Sequence, residues 1–121
     1  MTAWWKAQRP DCVCLSATPE EREKPSDELL LLAERLRREG AMVSVAGAGA
    51  WSEADVWRTI AAGAWKISVG SRLNQAFTEG LRDYLQGYPG IHPRAYLGAA
   101  RDAERRKAAA CIRAFGSEGS A

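Results

Sequence analysis

The sequence predicts an α/β protein built from three parallel βα units and a C-terminal helix. Three observations lead there. Short apolar runs alternate with amphipathic stretches in the order strand, helix, strand, helix, strand, helix. Polar capping residues open the amphipathic stretches, and glycines close several of them. The connections are too long for hairpins, so consecutive strands run parallel with right-handed crossovers.

The first apolar run, Asp11 to Ala17, follows Pro10 and reads as a buried strand around Cys12, Val13, Cys14 and Leu15. Thr18 to Pro25 is charged and ends in proline, which makes it a loop. Ser26 then offers an N-cap, with Asp27 and Glu28 in the first turn, where the helix dipole favours anions. Leu29, Leu32, Ala33 and Leu36 recur at helical spacing, and Gly40 is the stop. Ala41 to Ala46 is the second strand and Gly47 to Ala50 a glycine-rich turn. Ser52 with Asp55 resembles a capping box, with Asp in place of the usual Glu, on a helix that runs to Gly63. Ala64 to Val69 is the third strand. Gly70-Ser71 opens a third helix with an apolar face of Leu73, Ala76, Phe77, Leu81, Tyr84 and Leu85. Gly87 to Pro93 breaks it, and a fourth helix spans about Ala95 to Phe115 before Gly116. The tail from Ser117 to Ala121 is expected to fray.

With 121 residues the chain is one domain's worth. Its net charge of +2 excludes a protein built mainly to coat nucleic acid or an anionic membrane. The longest apolar run, Leu29 to Ala33, cannot span a bilayer, and Met1 to Pro10 lacks the apolar core of a signal peptide. Three cysteines are an odd count, expected as free thiols in a reducing, cytoplasmic setting. Cys12 and Cys14 share one strand face and read as buried structural cysteines, Cys111 as an inert one in an Ala-rich helix. The basic residues of the last helix (Arg101, Arg105, Arg106, Lys107 and Arg113) read as a solvated face or subunit contact, without the interleaved aromatics of a nucleic-acid face. Five tryptophans (Trp4, Trp5, Trp51, Trp57 and Trp65) are more than three βα units can bury and read as contacts for a partner.

Chemistry is expected beyond the C-terminal ends of the strands, where parallel α/β folds bind ligands. Ala46 to Ala50 follows the second strand, and Gly70-Ser71 follows the third. Small residues let backbone N–H groups approach an anion, and helix N-termini add positive potential. Two readings stand: a shared phosphate site, or glycines that only make tight turns. The one histidine, His92, lies in a Tyr-Pro-Gly-Ile-His-Pro loop, so this chain alone cannot assemble a multi-histidine zinc site.

The run Lys66-Ile67-Ser68-Val69-Gly70-Ser71-Arg72-Leu73-Asn74-Gln75-Ala76-Phe77-Thr78 resembles the last strand and following helix of the class II, zinc-dependent fructose-bisphosphate aldolases. His92-Pro93-Arg94-Ala95-Tyr96-Leu97 is similar to the family's D-P-R-x-Y-L segment. Phe115-Gly116-Ser117-Glu118-Gly119 is similar to its FGSAG ending. The resemblance is good from Val43 to Ala121 and weaker before. It implies a partial (β/α)8 (TIM) barrel, supplied here as the last three βα units and the terminal helix. It also implies altered chemistry. The zinc-binding His of the family's H-G-G-S-G turn falls on Ala46, while Gly47 is kept and the Ser position falls on Gly49. The N-I-D-T-D strand end, which in the family contacts substrate and phosphate, falls on Ser68, Gly70, Ser71 and Arg72.

The implied reading is a shortened relative with no zinc and no aldolase activity of its own. It keeps a phosphate-binding turn for inorganic phosphate or a sugar phosphate at Gly47, Gly49, Ser68, Gly70, Ser71 and Arg72. The alternatives are an interaction module that forms a homo-oligomer, and a half-barrel whose lyase is completed by a partner carrying the remaining strands. No nucleic-acid or membrane partner is expected.

Overall fold

Strand β1 (Cys12–Ser16) pairs in parallel with β2 (Met42–Ala46), and β2 pairs in parallel with β3 (Ala64–Ile67). The sheet order is β1-β2-β3. Helix α1 (Asp27–Arg38) joins the first two strands and α2 (Glu53–Ala61) the next two. Helices α3 (Gly70–Gln86) and α4 (Pro93–Ala114) follow. This computed structural model describes residues 12–120. The alternation read from the sequence is the architecture: three parallel strands interleaved with helices, with a further helix at the end. Trp4 and Trp5 lie outside the described residues.

The chain divides into two compact units, one ending at Val69 and one beginning at Gly70. In the first, one face of the sheet packs under α1 and α2. Leu15, Val43 and Val45 point into that layer and meet a core that includes Leu29, Ala33, Leu36 and Val56. The N-cap on α1 is formed as expected, with Leu29 N–H donating to Ser26 Oγ at 3.1 Å. The stop at Gly40 closes with Ala41 N–H donating to Leu36 O at 3.0 Å, a hydrogen bond typical of a helix end. Arg58 joins the starts of both helices, 3.3 Å from Asp27 and 3.2 Å from Asp55.

In the second unit α3 and α4 form a helical hairpin. Leu73, Ala76, Phe77 and Leu81 lie half-buried along one stripe of α3, as their spacing predicts. Tyr84 and Leu85, expected on the same apolar face, are exposed, and Tyr84 stacks its ring 5.0 Å from that of Tyr88. The C-terminal stop at Gly116 is also formed, with Ser117 N–H donating to Ile112 O at 2.9 Å. Where fraying was expected after Ser117, the described residues make a turn closed by Ser120 N–H on Ser117 O.

Three local expectations are corrected. Cys12 and Cys14 are exposed, not buried. They alternate with Val13 and Leu15 and therefore lie on the sheet face opposite α1 and α2. Trp51, expected as a partner contact, is 1 % exposed and part of the core, whereas Trp57 and Trp65 are exposed at 46 % and 78 %. The box at Ser52 is incomplete. Asp55 N–H donates to Ser52 Oγ at 3.1 Å, but the Asp55 carboxylate accepts from the Ser52 hydroxyl at 2.7 Å, because the shorter side chain does not reach back to the backbone.

Candidate functional site

The sheet face opposite the helices is built in three tiers set by the strand register. Cys12 lies level with Met42, Cys14 with Ser44, and Ser16 with Ala46. On the other side of β2, Ser44 is level with Lys66, after an irregularity at Trp65. Ser68 continues that strand by donating its N–H to Val45 O at 2.8 Å, which sets it beside Ala46. The face thus carries a thiol and a thioether at one end (Cys12, Met42), a thiol, a hydroxyl and an ammonium in the middle (Cys14, Ser44, Lys66), and small or hydroxylic side chains (Ser16, Ala46, Ser68) at the C-terminal ends of the strands.

The upper tier runs directly into two tight connections. Ala17 N–H donates to Ala46 O at 2.9 Å, extending the β1–β2 ladder to the last residue before the turn. Gly47 then adopts φ 90°, and a Cβ there would sit 3.0 Å from the Ala17 methyl. Both facts call for glycine: L side chains disfavour that φ, and the β1 loop leaves no room. The turn continues through Ala48–Ala50, with Ala48 fully buried, into the Ser52 cap of α2.

Residues 18–25, read as a plain charged loop, are ordered by one carboxylate. Glu21 accepts Thr18 N–H at 2.9 Å and the Ser26 hydroxyl. Its own backbone carbonyl accepts the Trp51 indole N–H at 2.7 Å. The loop after β1 is thereby fastened to the loop after β2, beside the Gly47 turn. The Ser26 hydroxyl and the Thr18 backbone hold the Glu21 carboxyl below its ordinary pKa. A depressed carboxyl contributes stability above its unfolded pKa and loses it as pH falls through the folded one. Glu21→Gln is accordingly expected to be less stable than the parent chain at pH 7. The gap should narrow as pH drops below about 4.3, the ordinary glutamate value, which urea titrations at stepped pH will measure. A gap that stays constant down to pH 2 would mean that Glu21 does not act through its charge.

Of the six residues singled out in the sequence, Gly47, Gly49 and Ser68 fall at the C-terminal ends of β2 and β3 in the first unit. Gly70, Ser71 and Arg72 begin α3 and open the second unit. There the Arg72 guanidinium stands 5.9 Å from the centre of the Phe115 ring, a cation–π contact. His92 precedes α4 and lines an open groove on the α3–α4 unit with Phe77, Leu97 and Arg101. Sequence reading missed Ser16 and Lys66 as residues of the open face. The signal was available: in β1 and β2 the core-facing residues alternate with the others, so the remaining positions share the opposite face.

Among the described residues no three His, Cys, Asp or Glu side chains cluster as a metal would require. Among the described residues no helix is long and apolar enough to cross a membrane.

A family model described as fructose-bisphosphate aldolase class-II matches residues 23–120. A sulfofructosephosphate aldolase from Alkalicoccus urumqiensis is 43% identical over 70 residues, which are 57% of this chain and 24% of that protein. The crystal structure of the YdjI aldolase from Escherichia coli K12 superposes with a TM-score of 0.78 at 23% identity, over 98% of this chain and 44% of that one. The chain therefore spans about a quarter of the curated relative and less than half of the solved structure. The likeness to that structure speaks for the fold, a partial barrel.

Proposed function

The chain belongs to the class II fructose-bisphosphate aldolase family, and we propose that it carries the phosphate-holding end of an aldolase-type barrel without the metal chemistry. The observation that supports this most is the upper tier. Two hydroxyls, Ser16 and Ser68, flank the small Ala46 at the ends of adjacent parallel strands, just before the Gly47 turn. Small side chains there leave space for a phosphoryl group, hydroxyls donate to its oxygens, and a glycine turn brings backbone close to it. Gly47, Gly49 and Ser68 are the residues of this chain's first unit assigned to that role; Gly70, Ser71 and Arg72 are the second unit's share of the family's phosphate segment.

Cleavage of a ketose phosphate requires that the enediolate charge be stabilised, and the family does this with zinc. With Ala46 in place of the ligand, this chain alone holds the ester and does not cleave it. Inorganic phosphate and a ketose bisphosphate, titrated separately while backbone amide shifts are followed, are expected to move Gly47, Ala48 and Ser68 with weak affinity. Metal analysis of the same sample is expected to find no stoichiometric zinc, and aldol cleavage to be absent. If those amides stay still while others move, the phosphate reading fails. One tightly held zinc per chain, with chelator-sensitive cleavage, would overturn the loss of metal chemistry.

A further inference from the structure

Three sulfur atoms share one end of the sheet face opposite α1 and α2. Cys12 and Cys14 are both exposed and both free thiols, and they alternate with Val13 and Leu15 along β1. Met42 lies level with Cys12 on β2 and is 45 % exposed. Neighbouring strands are about 4.8 Å apart, and alternate residues of one strand about 6.6 Å. The strand also keeps the two cysteines from bridging each other. Their Cβ atoms stand side by side at about that 6.6 Å spacing, whereas a disulfide requires about 3.8 Å. Both thiols thus stay available as separate ligands.

The donor chemistry selects the occupant. Methionine sulfur lies outside the His, Cys, Asp and Glu donors considered above, and here it adds the third ligand. The β1 and β2 residues of this face (Cys12, Cys14, Ser16, Met42, Ser44 and Ala46) include no carboxylate and no imidazole. Hard cations find no anionic oxygen among them. Thiolate and thioether sulfur are the donors that favour soft ions such as Cu(I), which accept two or three ligands where zinc takes four.

We propose that Cys12, Cys14 and Met42 form a binding site for one soft monovalent cation of the Cu(I) and Ag(I) class. Two metal–thiolate bonds and one thioether bond form, both thiol protons leave to solvent, and neither sulfur nor metal changes oxidation state. With bonds near the 2.3 Å of a zinc–thiolate bond, a trigonal ion needs sulfurs about 4 Å apart. Strand side chains lean along the strand, so χ1 rotation carries the two thiols towards each other. The three rotatable bonds of Met42 bring its sulfur across from β2. The complex carries a single negative charge, and Lys66, level with Cys14 through Ser44, offers a compensating one on the same face. The site stands about 13 Å along β1 from Ser16 and does not rest on the phosphate reading.

Cu(I), kept reduced under argon and buffered by a chromogenic chelator, is the first probe of the full chain, and Ag(I) is a redox-inert second. One ion per chain is expected. Cys12→Ser and Cys14→Ser should each abolish binding against the chelator, and Cys111→Ser, in α4, should leave it unchanged. Met42→Leu keeps the apolar volume and should weaken binding about tenfold, or about 1.4 kcal/mol. The Met42 methyl resonance should shift when Ag(I) is added. Circular dichroism of each variant alone separates misfolding from loss of a ligand. Absence of binding overturns the proposal, as does binding that survives in the double Cys12→Ser, Cys14→Ser variant. One ion shared between two chains, or a Met42 methyl that stays still, overturns it as well.

Discussion

Trp51→Ala is expected to lose about 3–5 kcal/mol of folding stability, a large fraction of the roughly 5–15 kcal/mol usual for a folded protein. Trp51 is among the largest fully buried side chains and is 1 % exposed. It stands at the end of the β2 turn and reaches the β1 loop through its indole N–H, which donates to Glu21 O at 2.7 Å. Truncation therefore opens a cavity under two connections and orphans a carbonyl. Trp51→Phe keeps most of the apolar contact and removes only the donor, so its cost should be about 1–2 kcal/mol. Urea denaturation followed by far-UV circular dichroism compares the two without relying on tryptophan emission. Equal losses for Phe and Ala would place the energy in the hydrogen bond. No loss in either would mean the ring is not part of the core.

Two glycines in the helical hairpin should respond in opposite directions. A Cβ on Gly80 would lie 2.5 Å from the Ala103 methyl, with the Ala99 carbonyl oxygen at 3.5 Å, so α3 and α4 touch there through a bare backbone. Gly80→Leu inserts a branched side chain into that contact and forces the helices apart. The expected loss is about 3 kcal/mol, at the upper end of overpacking penalties. Even Gly80→Ala should be destabilising, despite alanine's higher helix propensity. Gly98 lies inside α4, and a Cβ there meets nothing within 4 Å. Gly98→Ala therefore gains propensity without a clash and should stabilise by about 0.5–1 kcal/mol. Thermal melts of the three variants decide this. A stable Gly80→Leu chain would show that the hairpin does not need the close approach.

Patterns confined to a few neighbouring residues could be read from the sequence. The Ser26 cap and the stop at Gly40 depend on spacing along one element and formed as read; the α3 stripe, read from Leu73 to Leu85, formed only as far as Leu81. What the sequence did not disclose depends on which element covers which face. Cys12 and Cys14 belong to an apolar run, and such a run suits a strand buried on both sides as well as one buried on one side; only the packing of α1 and α2 on the opposite side of the sheet distinguishes them. Trp51 was misread for a related reason. Its burial depends on Glu21, thirty positions earlier, and no local pattern couples the two. The glycine turn was legible as a turn, but its packing against Ala17 follows from strand register. The tiers of the open face were half legible: alternation gives the residues of each strand, while their grouping into levels needs the pairing of Cys14 with Ser44 and of Ser44 with Lys66.

The division at Gly70 has a kinetic consequence. Contacts within the α3–α4 hairpin join residues close in sequence, and closing such a short connection takes well under a microsecond, with helix growth on a similar scale. The three strands, by contrast, pair only after two helical crossovers have been spanned, the slow kind of contact in folding. The strand unit precedes the hairpin along the chain, so a ribosome delivers it before the hairpin. While α3 and α4 are still inside the exit tunnel, the edges of β1 and β3 and the thiols of Cys12 and Cys14 are already outside it. In that interval the slower strand pairing proceeds without the hairpin that follows it in the chain.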